Sequence, residues 1–267
     1  MHRILPPLTL ALALASLAPP GPARASADAA GRAPGSATLA VAAASSLRPP
    51  LEDLRRAFEA GHPGVRVAVS YGASGAFLAQ IQAGAPFDLF FSADVEYPRR
   101  AVASGLGRPE DQAVFAVGRL CLWLPAGAPP DLRGRGLAAL ADPRLRRIAI
   151  ANPAVAPYGR AAEAALRAAG LLEAVRPRLV MGQSVSQAAG FAAGGAADAA
   201  LVPLSLAREP ALAAGTAVPL EGAGARLEQA AVVLARARDP ALARAFLDFA
   251  LGPAGRAAFQ AHGYEPP

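Results

Sequence analysis

The chain has 267 residues, of which 54% are hydrophobic and 17% charged. That balance excludes a disordered, charge-driven polypeptide and leaves room for one large domain or two modest lobes. Lysine is absent, and the formal net charge of +6 rests on arginines scattered along the sequence. Without a basic cluster on one predicted helix, this charge does not mark a nucleic-acid surface.

Met1-His2-Arg3, the apolar run 4–17 and Ala23-Arg24-Ala25 follow the pattern of a secretory signal peptide. The run is too short and too rich in proline for a membrane span. Residues 1–25 are therefore read as a signal cleaved after Ala25, and 26–37 as a flexible leader of Ala and Gly. The mature protein is expected to be soluble and periplasmic. No cysteine follows the signal closely, so no lipoprotein anchor is expected.

From there strands and helices alternate. A short apolar strand is expected at 38–43, followed by a helix whose face carries Leu47, Leu51, Leu54 and Phe58. His62-Pro63-Gly64 ends it. Val65, Val67 and Val69 alternate with Arg66, Ala68 and Ser70 as a second strand, and Phe77, Leu78 and Ile81 mark a second helix. A buried strand at 88–92 and a helix at 95–104 follow. Two β-α units in succession predict a mostly parallel sheet. The theme repeats with strands at 114–124, 147–151, 178–181 and 199–203, and helices at 159–169 and 186–193. A strand at 230–234 precedes a helix that Asp239-Pro240 opens and that runs to Leu251. Pro253 opens a last helix, stopped by Gly263. The halves match in kind but not in sequence, which suggests two α/β lobes.

Several turns have the physics to hold an anion, because small polar residues follow a strand and open a helix. They are Ala44-Ser45-Ser46, Gly72-Ala73-Ser74-Gly75, Pro157-Tyr158-Gly159 and Gln183-Ser184-Val185-Ser186. Each alone could be routine capping; four together suggest one crevice. Other chemistries are poorly served. Cys121 is alone in an apolar run and is expected to be a buried thiol. His62 and His262 each sit beside glycine near a helix end, and no cysteine–histidine cluster has metal-site spacing. A serine hydrolase using Ser74 would lack the second glycine of a nucleophile elbow, and His262 has no evident partner. Asp94 is expected to cap a helix and Asp88 to be solvated or hinge-side.

At these residues the sequence resembles the periplasmic molybdate-binding proteins of ABC importers. The resemblance runs from Ala42-Ala43-Ala44-Ser45 through Tyr71-Gly72-Ala73-Ser74 and the stretch from Gly84-Ala85-Pro86-Phe87-Asp88 to Asp94. It continues through Asn152-Pro153, Ala156-Pro157-Tyr158-Gly159, Ser184-Val185-Ser186-Gln187, Phe246-Leu247-Asp248-Phe249 and His262-Gly263-Tyr264. It implies an α/β, two-lobed periplasmic binding protein fold of type II, with the ligand cleft between lobes. One lobe would comprise 38–117 and 229–267, the other 118–228, with two strand crossings as the hinge.

The resemblance also implies a function. The protein would be a solute receptor, not an enzyme and without a cofactor, that captures molybdate and also tungstate. It would act as a monomer and deliver the oxyanion to a membrane permease, whose partner ATPase hydrolyses ATP. The contacts carried over by motif are Ser45, Ser46, Ser74, Tyr158 and Val185, touching the anion's oxygens and not ligating the metal directly. Pro49 and Pro50 narrow the donors of the first turn to those near Ser46–Arg48. Pro203 stands where some relatives place a tyrosine. The alternatives are a receptor for sulfate or chelated iron, and the exported hydrolase.

Overall fold

The computed structural model describes residues 37–222 and 224–267. The predicted signal and residues 26–36 of the predicted leader lie outside the described residues. Ala37, assigned to that leader, instead opens the first strand, its N–H bound to the Gly64 carbonyl at 2.9 Å. Among the described residues no helix is long and apolar enough to cross a membrane.

The first part of the chain runs β1 (Ala37–Ala44), α1 (Arg48–Gly61), β2 (Val65–Gly72), α2 (Ser74–Gln82), β3 (Leu89–Ser92) and α3 (Glu96–Ala103). A 3-10 turn, Ser45–Leu47, joins β1 to α1. The long β4 (Gly107–Leu124) leads to α4 (Pro130–Arg133), β5 (Ile148–Ala151), α5 (Pro157–Ala168), α6 (Leu172–Val175), β6 (Leu179–Gly182) and α7 (Val185–Ala193). Then come β7 (Ala199–Pro203), α8 (Leu204–Ala207), β8 (Thr216–Pro219), β9 (Arg226–Leu234), α9 (Pro240–Leu251) and α10 (Pro253–Ala261).

The strands lie in the order β2-β1-β3-β9-β4-β7-β5-β6, with β8 beside β4. β1 pairs in parallel with β2 and β3, and β5 in parallel with β6 and β7. The pairings of β9 with β3 and β4, and of β4 with β7 and β8, are antiparallel. The expectation of a mostly parallel sheet therefore needs correction: only the two β-α groups are parallel. The strands that cross between the groups run the other way, and β-α alternation carries no information about them.

Burial explains the two groups. β3 and β5 are buried at every position, as expected of parallel strands covered by helices on both faces. α1 turns Leu51, Leu54 and Phe58 inward, and Phe58 meets Phe246 of α9 edge-on at 5.1 Å. Phe259 of α10 packs on Phe115 of β4 at 4.8 Å between centroids. The chain's last two helices thus cover the first parallel group. Three strands differ clearly from expectation, of which β9 begins at Arg226 instead of 230. β4 begins at Gly107 instead of 114, because its polar start at Arg108–Asp111 hides the strand period and its pairing is bulged. β8, short and half-buried, was not predicted.

Candidate ligand-binding site

Parallel β-α units gather their loops at the carboxyl ends of the strands, and here both groups do so toward one place. β1 delivers Ser45 and Ser46, β2 delivers Ser74, β5 delivers Tyr158, and β6 delivers Val185. All five line a single small pocket, together with Ala93 and the adjoining backbone. They are 5% exposed or less. The lining holds no charged side chain.

Each turn has a local cause. Ala42–Ala44 are small and buried, so the first turn sits close against its neighbours. Pro49 falls in the first turn of α1, where its missing N–H costs nothing. The helix therefore survives Pro49-Pro50. A Cβ on Gly159 would strike the Ala151 carbonyl, and one on Gly118 would strike the Tyr158 hydroxyl and the Gln229 amide. Glycine at these two positions is what lets α5 start tight against β5 with its tyrosine lying across β4.

The polar groups divide into those already paired and those that are not. The Ser74 hydroxyl accepts from the Ala93 N–H at 3.1 Å, leaving its own proton without an acceptor among the described residues. Ser45 Oγ accepts from the Ser186 N–H at 3.3 Å, and Ser186 Oγ donates to the Ser45 carbonyl at 3.2 Å. These bonds join the first turn to α7. Ser46 Oγ is buried and has no hydrogen-bond partner among the described residues. The Tyr158 hydroxyl accepts from Gln229 Nε2 at 2.9 Å. Burial raises its pKa well above the ordinary phenol value, so it stays neutral. That bond turns the hydroxyl toward β9, which leaves the Tyr158 backbone N–H as its group for the cavity. Among the described residues the N–H groups of Ser74, Tyr158 and Val185 have no acceptor. All three stand at helix starts, where amides are free and the helix dipole is positive.

Contacts between the two groups close the rim. Gly75 N–H donates to the Val155 carbonyl at 2.9 Å. Arg160 of α5 pairs with Asp94 at 2.5 Å and lies 4.9 Å from the centre of the Tyr97 ring. Asp94 Oδ1 also accepts from the Glu96 N–H at 2.8 Å, but the N-cap position of α3 is Val95, one residue after the expected Asp94.

Three expectations need correction or completion. Asp88 is not solvated: it is 2% exposed and accepts from the N–H groups of Ala40 and Arg238 and from the Arg238 guanidinium. His262 does have a partner, Asp53, at 2.8 Å. That pairing commits the ring away from Ser74, and no histidine lines the cavity. Cys121 is buried as expected; burial pushes its thiol up to about 12.

Sequence reasoning missed Gln229 and Ser205, and named Ser186 and Tyr264 only as members of motifs, without a role. Gln229 had a readable signal, a polar residue at the head of the apolar run Ala230–Leu234. The others act through chain-distant contacts that no local pattern announces.

Comparison with known proteins places the chain among relatives. The profile of the family described as bacterial extracellular solute-binding protein matches residues 39–265. The molybdate-binding protein ModA of Azotobacter vinelandii is 35% identical over 232 residues, covering 85% of this chain and 90% of that protein. The protein of the same name from Rhodobacter capsulatus is 39% identical over 166 residues, 61% of this chain and 63% of that relative. Among solved structures, the periplasmic molybdate-binding protein of Azotobacter vinelandii superposes with a TM-score of 0.79 at 34% identity. That match covers 86% of this chain and 99% of the other.

Proposed function

Because the chain belongs to the bacterial extracellular solute-binding proteins, and among them to the molybdate-binding family, we propose that the cavity captures molybdate for an ABC permease. The fold is the type II periplasmic binding protein fold. One observation carries the reading. Five residues from both parallel groups surround one small pocket of neutral donors, and one of them, Ser46, keeps a buried hydroxyl unpaired among the described residues.

The chemistry follows from what the cavity offers. A buried dianion held by aligned N–H and O–H dipoles avoids burying a full cation beside it. Such a set also releases its guest when the surrounding groups separate. The proposed contacts are the hydroxyls of Ser45, Ser46 and Ser74 and the N–H groups of Tyr158 and Val185. Ser45 Oγ must turn its proton to the anion while still accepting from Ser186. The proposed moving parts are a lobe of 38–117 with 229–267 and a lobe of 118–228, hinged where β4 and β9 cross. The protein is proposed to be exported by its signal and to act as a monomer on molybdate and tungstate, doing no covalent chemistry. The absence of a histidine from the lining supports that last point over the hydrolase.

Selectivity tests the reading. Molybdate, tungstate and sulfate are all dianions at neutral pH, so charge cannot separate them. The reading requires donors spaced for the larger tetrahedron; sulfate has shorter bonds and would leave gaps against them, and bonds stretched past about 3.5 Å count for little. Protonated phosphate needs an acceptor, and a serine that accepts gives up donation, a buried mismatch of roughly 1–3 kcal/mol. Calorimetric titration is expected to show tungstate about equal to molybdate, sulfate far weaker and phosphate undetectable. Molybdate should also raise the melting temperature in proportion to its concentration on a logarithmic scale. Sulfate binding as tightly as molybdate would overturn the assignment.

A further inference from the structure

The carbonyl of Ser46 is held from outside the cavity by groups that none of the anion-binding turns supplies. Tyr264, 3% exposed, donates its hydroxyl proton to that oxygen at 2.8 Å. Ser205 Oγ lies 3.1 Å from the Tyr264 hydroxyl and 3.4 Å from the same carbonyl. With a single proton to give, Ser205 serves Tyr264 better, and the three form a chain from Ser205 to Tyr264 to Ser46. Hydrogen bonds in such chains polarise and strengthen one another in a low-dielectric interior.

The placement of Tyr264 is itself fixed. Gly263 turns with φ +82°, and the next residues run beside β4, where Val117 and Glu265 exchange two backbone hydrogen bonds of 2.8 Å. The ring packs edge-on against Phe259 at 5.8 Å. Ser205 arrives from the other parallel group, directly after β7. The carbonyl of the first turn is thus pinned by the end of the chain, with support from the far group.

We infer that Tyr264, backed by Ser205, is a positioning residue for the anion site, holding the Ser46 carbonyl away from the guest. The inference rests on the oxyanion reading of the cavity. A carbonyl oxygen that swung toward a dianion would repel it. Within a trans peptide the carbonyl and the following N–H point in opposite directions, so fixing one oxygen fixes the turn. Ser46 makes no side-chain hydrogen bond that could do this; its carbonyl is the handle.

The test is a double-mutant cycle on molybdate binding with Tyr264→Phe and Ser46→Ala. Tyr264→Phe keeps the ring and removes only the hydroxyl. It is expected to raise the dissociation constant about tenfold, the scale of one buried hydrogen bond. Ser205→Ala is expected to raise it less, because Tyr264 still donates. In the cycle, Tyr264→Phe should still raise the dissociation constant several-fold when position 46 is alanine, because Ser46→Ala keeps the backbone carbonyl that Tyr264 holds. Parental affinity in Tyr264→Phe, or a loss that vanishes when position 46 is alanine, would overturn the positioning of the carbonyl even where the melting temperature falls. Failure of the unaltered protein to bind molybdate would remove the oxyanion reading, and this inference with it. Tight parental binding with an unaffected Tyr264→Phe would remove this inference alone.

Discussion

Ser46→Ala is expected to leave the unliganded protein as stable as the parent or more so, while weakening molybdate binding by roughly 1.5–3 kcal/mol. The two effects separate because the Ser46 hydroxyl is buried without a partner among the described residues. Removing an unpaired buried hydroxyl relieves a desolvation cost; removing a donor to a charged guest forfeits a strong hydrogen bond. Ser74→Ala gives the contrast. Its hydroxyl is already used by the Ala93 N–H, so alanine there should lower affinity by a similar amount and also lower stability by roughly 1–3 kcal/mol. Both variants should fold, since neither loss exceeds a domain's usual margin. Thermal unfolding with and without molybdate, alongside calorimetry, reads both quantities. Parental affinity in Ser46→Ala would remove its hydroxyl from the site, and a destabilised Ser46→Ala would contradict its unpaired state.

That contrast marks where sequence reading ends. The turns themselves were legible from small polar residues after an apolar run and before a helical period; the choice of Ser45, Ser46, Ser74, Tyr158 and Val185 within them came from the resemblance. Helix α1 was legible because Leu51, Leu54 and Phe58 keep a 3.6-residue period that burial then uses. What the pattern could not reveal was which hydroxyls are already spent. Ala93 lies 19 residues from Ser74 and Ser186 lies 141 from Ser45, and such pairings depend on how strands are ordered across the sheet. The antiparallel crossing of β4 and β9 was hidden for the same reason. Periodicity reports which face of an element is buried, not which element lies against it. Asp88 shows the error most plainly. A carboxylate in a loop after Gly84-Ala85-Pro86 reads as solvated, until three elements meet over it.

Those meetings make Asp88→Asn a large stability prediction. The parent carboxylate accepts from the Ala40 N–H at 2.6 Å through Oδ2 and from the Arg238 N–H at 2.8 Å through Oδ1. The Arg238 guanidinium adds a contact at 2.9 Å. Asn has one acceptor oxygen, so one of the two amides must face an NH2 group, donor against donor. The expected loss is roughly 2–5 kcal/mol, from one unpaired amide and weakened charge-assisted bonds; most of Arg238 is in solvent and adds little. The loss should depend on pH. Burial alone would raise the Asp88 pKa, but the Arg238 guanidinium and the two amides outweigh it and hold the carboxyl below its usual range. A depressed carboxylate stabilises the fold fully above its unfolded pKa, about 3.9, and loses that contribution as the pH falls through the folded value. The gap between parent and variant should therefore be constant from about pH 5 to 7 and shrink below about pH 4. Denaturant unfolding across that range measures it. Asp88 precedes β3, whereas the cavity lies past the other end of that strand, at Ala93. Molybdate affinity in the folded variant should consequently stay near the parent's. A gap that is absent at pH 7, or one that persists unchanged to pH 3, would mean that the carboxylate's charge is not what joins β1, β3 and the segment after β9.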